Sequence, residues 1–291
     1  VDQIELKAHA KINLSLNILP EIGENGYYKV WFINISVSLY DSVKLTRTQG
    51  GGILINEPTV ENTENIASRS AQLMFDTFKL PGGLSIHVTK RIPSRAGLGG
   101  GSTDAAAVMN GIIALYGLSM PIHERVGLAR EIGMDVCYCI IGGLCRIEGI
   151  GDVVQSLPYD LPGAYILIAT PVEKKPSTAW AYSILDKKEI GRQRDKLEML
   201  TDGIKKKDLK CIADNLNNDF EKPVFRYFPK AKILKAHMLR SGALNAALAG
   251  SGLSVFGIFE NSSAALRSKN ELEQSGCTCY ITHPVRALNM K

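Results

Sequence analysis

"RIPSRAGLGGGSTDAAAVMNGI" runs from Arg91 to Ile112. Four glycines fall within five residues, at Gly97, Gly99, Gly100 and Gly101, directly before an alanine-rich apolar run. A glycine inside a helix costs about 1 kcal/mol relative to alanine. Four of them therefore define a loop shape that side chains would forbid. The run that follows predicts a helix from 102 to about 116, with Ser102 as candidate N-cap and Asp104 close to its start. The first N–H groups of a helix lack internal partners, and the dipole adds positive charge there. Loop and helix together read as an anion site, most often for phosphate. A tight turn that lets the helix pack closely on a sheet is the alternative. The spacing is not a P-loop, since no lysine follows Gly101, and Ser102 breaks the dinucleotide fingerprint.

Outward from this loop the chain alternates between strand and helix patterns. "QIELKAHAKINLSLNIL" (3–19) keeps apolar residues on one phase, from Ile4 to Ile18, which predicts strand. Asn25-Gly26 is a hairpin signal, and "VWFINISVSLYDSVKLTRT" resumes the alternation. Ile66, Ser70, Leu73, Met74 and Phe78 fall at helical spacing. "GGLSIHVTKRIP" reads as strand up to Pro93, and 121–133 as helix. "GGLCRIEGIGDVVQSLP" and "AYILIATP" read as strands, 176–220 as broken helix, and 229–243 as a helix closed by Gly242. "AALAGSGLSVFGIFE" (246–260) reads as strand, turn, strand, with one more helix and strand after it. The Pro-bounded stretch 156–163 is the candidate boundary between two domains, 1–158 and 159–291. The fold class is α+β.

Composition narrows the function classes. The net charge of +5 is mild and dispersed, which argues against nucleic acid, and the run at 202–210 reads as a solvated helix face. No apolar stretch has membrane-spanning length, and the N-terminus shows no signal peptide. Six cysteines, at 137, 139, 145, 211, 277 and 279, lack zinc-like spacing and read as buried thiols in a reducing, cytoplasmic compartment, with no metal site.

"PSRAGLGGGSTDAA" resembles the second motif of the galactokinase, homoserine kinase, mevalonate kinase and phosphomevalonate kinase superfamily. "AKINLSL" (10–16) resembles its first motif and "ALAGSGLSVFG" (247–257) its third. With "NGYYKV" and "GMDVCYCIIGG", the combination is most similar to the 4-diphosphocytidyl-2-C-methyl-D-erythritol kinases. The resemblance implies an N-terminal half like the second domain of ribosomal protein S5 that binds ATP, and a ferredoxin-like half on the substrate side. It implies an ATP-dependent kinase of isoprenoid (terpenoid) biosynthesis, with Mg²⁺, acting on the substrate's 2-hydroxyl.

The same match carries the catalytic roles onto Lys11 and Asp135. Asp135 stands in an apolar run, where burial without a partner is costly, and a turn or cap is its other reading. A lysine beside it would lower its pKa. Lys11, on the polar phase of its strand, is equally compatible with a solvated lysine. Cofactor contacts fall on Asn65 and on Pro93, Ser94, Arg95, Ala96, Gly97, Leu98, Gly99, Gly100, Gly101, Ser102, Thr103 and Asp104. For Asn65 the alternative is an N-cap; for Asp104, a dipole partner or a Mg²⁺ contact. Substrate contacts fall on Asn13, Tyr27, Tyr28, Tyr182, Gly250, Ser251 and Gly252, with core packing the alternative for Tyr182. Two departures stand out. Tyr27-Tyr28-Lys29 replaces the usual Tyr-His-Glu, whose His reads the cytosine edge, and Leu253-Ser254 replaces Pro-Thr. The remaining alternatives are a related kinase for another alcohol and a non-catalytic nucleotide- or metabolite-binding member. A monomer or homodimer is expected, with no membrane or nucleic-acid partner.

Overall fold

The computed structural model describes residues 2–23, 26–56 and 65–287. Its strands are β1 (Gln3–Ile22), β2 (Tyr28–Thr48), β3 (Gly52–Asn56), β4 (Gly83–Thr89), β5 (Cys145–Glu148), β6 (Val153–Ser156), β7 (Tyr165–Thr170), β8 (Asn217–Asn218), β9 (Asn245–Leu248), β10 (Val255–Phe259), β11 (Thr278–Thr282) and β12 (Pro284–Val285). Its helices are α1 (Ile66–Phe78), α2 (Gly100–Tyr116), α3 (Ile122–Arg130), α4 (Met134–Ile141), α5 (Thr178–Ser183), α6 (Arg194–Lys206), α7 (Leu209–Asp214), α8 (Glu221–Tyr227), α9 (Pro229–Arg240) and α10 (Ser262–Gln274). The fold is α+β.

Cα packing divides the chain into two compact units. The first holds 1–10, 39–94 and 99–142, and the second holds 11–38, 95–98 and 143–291. β1 and β2 contribute residues to both. The cut at 158/159 divides the sequence, not these units. Asn25 of the expected hairpin turn lies outside the described residues; Gly26 has φ +77°.

In the first unit, β4 pairs parallel with β3 and antiparallel with β2. Helix α1 buries Ala67, Ser70, Ala71 and Met74. That is an i, i+3, i+4, i+7 stripe; of the five positions read at helical spacing, Ser70 and Met74 lie on it, while Ile66, Leu73 and Phe78 flank it half-buried. Helix α2 buries nearly every residue from Thr103 to Leu115. It packs on α1 and α4, which its small alanines allow at close range.

In the second unit, β2 pairs antiparallel with β5 and β12, and β5 pairs with β6. β1 pairs parallel with the short β8, in the register Ser15↔Asn217 and Leu16↔Asn218. A separate four-stranded antiparallel sheet has the order β11-β7-β10-β9. With helices between β7 and β9 and between β10 and β11, this is the split βαβ ferredoxin-like arrangement. Its inner strand β10 is fully buried along its length.

Candidate active site

The candidate residues fall in both units. In the second unit, the decisive feature is the polar phase of β1. The apolar phase, Ile12 to Ile18, is buried as its period requires, but Lys11, Asn13, Ser15 and Asn17 are buried too, with Lys11 5% exposed. A solvated lysine is therefore excluded. A buried polar group must find partners. The Lys11 ammonium donates to Asn13 Oδ1 at 3.0 Å, and Asn13 Nδ2 donates to Asn34 Oδ1 at 2.6 Å. Both Lys11 and Asn13 point the same way because they are two apart on a strand.

The glycines of two motifs close on this lysine. Gly97 has φ +87°, and a Cβ there would lie 1.8 Å from the Ala249 carbonyl oxygen. Gly250 has φ +55°, and a Cβ there would lie 2.8 Å from Gly97 O, 3.3 Å from Lys11 Nζ and 3.4 Å from Asn13 Oδ1. Lys11 N–H donates to Leu98 O at 3.0 Å, and Ser254 N–H to Ala96 O at 3.4 Å. Backbone thus meets backbone beside the ammonium, at distances only glycine permits. Gly252 belongs to the same contact, against Ala96 and Gly97. Arg95, with φ +58°, is a non-glycine residue in the left-handed region within this segment.

Tyr28 and Tyr182 also meet in this unit, as near-parallel rings with centroids 6.1 Å apart and planes 13° apart. Tyr182 presents its ring to Phe220 edge-on at 5.1 Å. Tyr27, by contrast, is 55% exposed, as expected for strand-neighbouring residues that face opposite ways. Ser251 Oγ accepts from the buried Lys175 at 2.9 Å, and Lys175 also reaches Thr178 Oγ1 at 3.3 Å.

The first unit carries the glycine loop. Helix α2 starts at Gly100, two residues earlier than expected, and its N-cap is Gly99 with φ +73° and no side-chain cap bond. Ser102 is therefore not the cap. A left-handed cap residue calls for glycine, and a glycine cap brings no side chain to occupy the first-turn N–H groups. That fits an anion ligand. Gly100 itself does not need positive φ; a Cβ there would sit 3.1 Å from Ile92 Cγ2 and 3.5 Å from Lys90 Nζ. Gly101 would place a Cβ 3.5 Å from Ile66 Cδ1. This brings the loop beside Asn65, which caps α1 by accepting from Ala67 N–H at 2.8 Å.

Asp104 lies in the second turn of α2, beyond the positions where the dipole acts most. It is 2% exposed, and its Oδ2 accepts from Lys90 Nζ at 2.6 Å. Lys90 donates equally to Asp41 Oδ2 at 2.6 Å, while Asp41 Oδ1 accepts from Arg91 and Ile92 N–H. Burial lowers the Lys90 pKa and is the largest single influence. Asp104 and Asp41 together outweigh it and hold the ammonium above the ordinary lysine value. Asp135 lies in the first turn of α4 and is exposed, so the burial cost expected of it does not arise.

Several of these partners escaped the sequence reading. Lys90 and Asp41 look like ordinary charged strand-end residues. Lys175 sits in "VEKKPST", which reads as surface. Asn217-Asn218-Asp219, in "LNNDF", left one readable signal: a polar triplet between Leu216 and Phe220 at the end of a helical stretch.

Among the described residues no group of three or more histidine, cysteine or acidic side chains could hold a metal, the six cysteines form no disulfide, and no helix is long and apolar enough to cross a membrane. Comparison with known proteins agrees with the fold and the loop. A family model for the N-terminal domain of GHMP kinases matches residues 65–143, and one for the GHMP kinase C-terminal domain matches 200–276. The chain belongs to the GHMP kinase family. It is 38% identical over 287 residues to the 4-diphosphocytidyl-2-C-methyl-D-erythritol kinase of Acetivibrio thermocellus, across 98% of this chain and 100% of that one. It is 36% identical to the enzyme of the same name from Lachnospira eligens, across 95% and 96%. A crystal structure of a 4-(cytidine 5'-diphospho)-2C-methyl-D-erythritol kinase superposes with a TM-score of 0.81 at 28% identity, covering 97% of this chain and 99% of that one. A homoserine kinase from Cytophaga hutchinsonii shares the fold, with a TM-score of 0.79 at 21% identity over 99% and 96%.

Proposed function

We propose that this chain is an ATP-dependent kinase that phosphorylates the 2-hydroxyl of 4-diphosphocytidyl-2-C-methyl-D-erythritol, a step of isoprenoid biosynthesis, with Lys11 and Asp135 as its catalytic residues. The observation that carries this reading is the buried Lys11 ammonium, bonded to a neutral amide and walled by glycine backbone. A cation placed so offsets negative charge at a transferring phosphoryl group. Asp135, exposed at the start of α4, orients the hydroxyl and accepts its proton. The uncapped first turn of α2 holds the phosphates, beside Asn65. ATP supplies the phosphoryl group, and Mg²⁺ arrives with it. Tyr28 and Tyr182 provide flat faces for a base, and Asn13, Ser251 and the Gly250 loop face the rest of the substrate. The reading places the enzyme in the cytoplasm, as a monomer or homodimer.

The test is ATP consumption with a panel of alcohols: the cytidyl-methylerythritol substrate, mevalonate, homoserine and galactose. Turnover confined to the first supports the proposal; turnover confined to another rejects it. The second reading, a GHMP kinase for a different alcohol, is favoured by one observation. Tyr28 stands where the cytidyl-methylerythritol kinases usually carry histidine, and it is engaged in a ring stack.

A further inference from the structure

The two-residue strand β8 touches both sides of the Lys11 site. Asn217 accepts from Ser15 Oγ at 2.8 Å and donates to Asn17 Oδ1 at 3.0 Å, and Asn17 Nδ2 donates back to Ser15 Oγ at 2.9 Å. This closed ring of buried side chains fixes β8 on the strand that carries Lys11. Asn218, next in sequence and 3% exposed, faces the other way. Its Nδ2 donates to Leu248 O and Gly250 O, both at 2.8 Å, and its Oδ1 accepts from Phe220 N–H at 2.9 Å. Both amide hydrogens and one acceptor are in use. Aspartate has no donor and serine has one, so the arrangement asks for an amide.

We propose that Asn218 is a positioning residue for phosphoryl transfer, fixing the Gly250 loop against the Lys11 ammonium. The inference rests on the kinase reading above and adds a residue to it. After Leu248 the chain leaves the β9–β10 ladder and turns through Gly250 at φ +55°. The Gly250 carbonyl is held by Asn218, while the Gly250 α-carbon lies against Lys11 and Asn13. Lys11 and the loop are thereby referenced to the same two residues. An error of about 1 Å in such a reference can cost about a hundredfold in rate.

Asp219, the following residue, supplies the control. Its Oδ2 accepts from Ile18 N–H at 2.7 Å and Gly191 N–H at 2.9 Å, which are scaffold contacts away from the loop. Asn218→Leu keeps the branched shape and removes both donors. The expected result is a turnover number per folded molecule lower by about tenfold or more, with KM for ATP within about twofold, alongside a lower melting temperature because Leu248 O, Gly250 O and Phe220 N–H lose their buried partner. Asp219→Asn, which keeps an acceptor oxygen for both N–H groups, should instead leave turnover of the folded protein within about twofold. The proposal is overturned if Asn218→Leu keeps parental turnover, or if both variants lose activity only in proportion to lost folding. Should Asn218→Leu not fold, Asn218→Ser, which retains one donor, must show the same selective loss of turnover. If the parent itself does not use the cytidyl substrate, the kinase reading fails separately. Asn218 is then judged by amide hydrogen exchange at Gly250–Gly252: faster exchange in Asn218→Leu but not in Asp219→Asn supports the positioning, and unchanged exchange rejects it.

Discussion

Asp135 and Tyr28 are single residues whose chemistry one substitution each can change. Asp135→Asn keeps size and hydrogen-bonding capacity but loses charge and the ability to take a proton. Turnover should fall by about 10²–10⁴-fold, while nucleotide affinity stays near the parental value. Calorimetric titration of ATP beside a coupled assay separates the two; a variant that turns over within a few-fold of the parent removes Asp135 from the mechanism. At Tyr28 the ring stacks on Tyr182, so its contribution is a flat face and a phenol in place of an imidazole edge. A site that loses a required hydrogen bond can discriminate by about 10⁴-fold. Tyr28→His is expected to raise kcat/KM for the cytidyl substrate. A fall would mean that the Tyr28–Tyr182 pair itself recognises the base, and would weaken the second reading.

At the scale of elements, the glycine loop is two devices with different physics. Gly97 holds a positive φ against the Ala249 carbonyl. Gly97→Ala adds a left-handed penalty of about 1–2 kcal/mol and a backbone clash that the chain must move to relieve. Gly100 sits in helical conformation as the first residue of α2, and alanine there meets only the Ile92 and Lys90 side chains. Gly97→Ala should therefore lower both melting temperature and turnover, and Gly100→Ala should cost no more than about 1 kcal/mol. Equal losses at the two sites would show that the loop is one packed turn. The foot of α2 is pinned by Lys90. Lys90→Met leaves Asp41 and Asp104 buried without their shared cation and is expected to cost about 3–5 kcal/mol near neutral pH. The folded-state pKa of Lys90 is raised. Its contribution is therefore complete below the ordinary value of 10.5 and is lost as pH rises through the raised folded value. The stability gap between parent and variant, followed by denaturant titration from neutral pH upward, should be constant up to about the ordinary value of 10.5 and narrow from there through the raised folded value.

For the molecule as a whole, the proposal requires that nucleotide binds the folded chain and not the unfolded one. ATP with Mg²⁺ at about 100 times its dissociation constant should add about 2.7 kcal/mol to stability and raise the melting temperature accordingly. The rise should survive in Asp135→Asn. A parent with no ATP-dependent shift at any concentration would contradict a nucleotide site. At the same scale, β1 and β2, at 20 and 21 residues far beyond an ordinary strand, each contribute residues to both compact units.

The sequence by itself determined the class and most of the elements, though not β3, α4 or β8. Period-2 alternation named β1 and β2, since burying one face of a strand leaves a pattern that needs no tertiary information. Positive-φ demand named the glycine loop, because backbone sterics are local. Three ordered motifs placed the chain among the GHMP kinases. What only the tertiary structure decided is which polar residues are buried and what they meet. Lys11 and Lys7 occupy the same phase of the same strand, yet Lys11 is buried and Lys7 exposed. Asp104 and Lys90, 14 residues apart, become an ion pair through the docking of α2 beside β4. Asn218 meets Gly250 across 32 residues of chain. Alternation and propensity are local properties, but burial and hydrogen-bond partners are set by elements distant in sequence, and no single stretch contains that information.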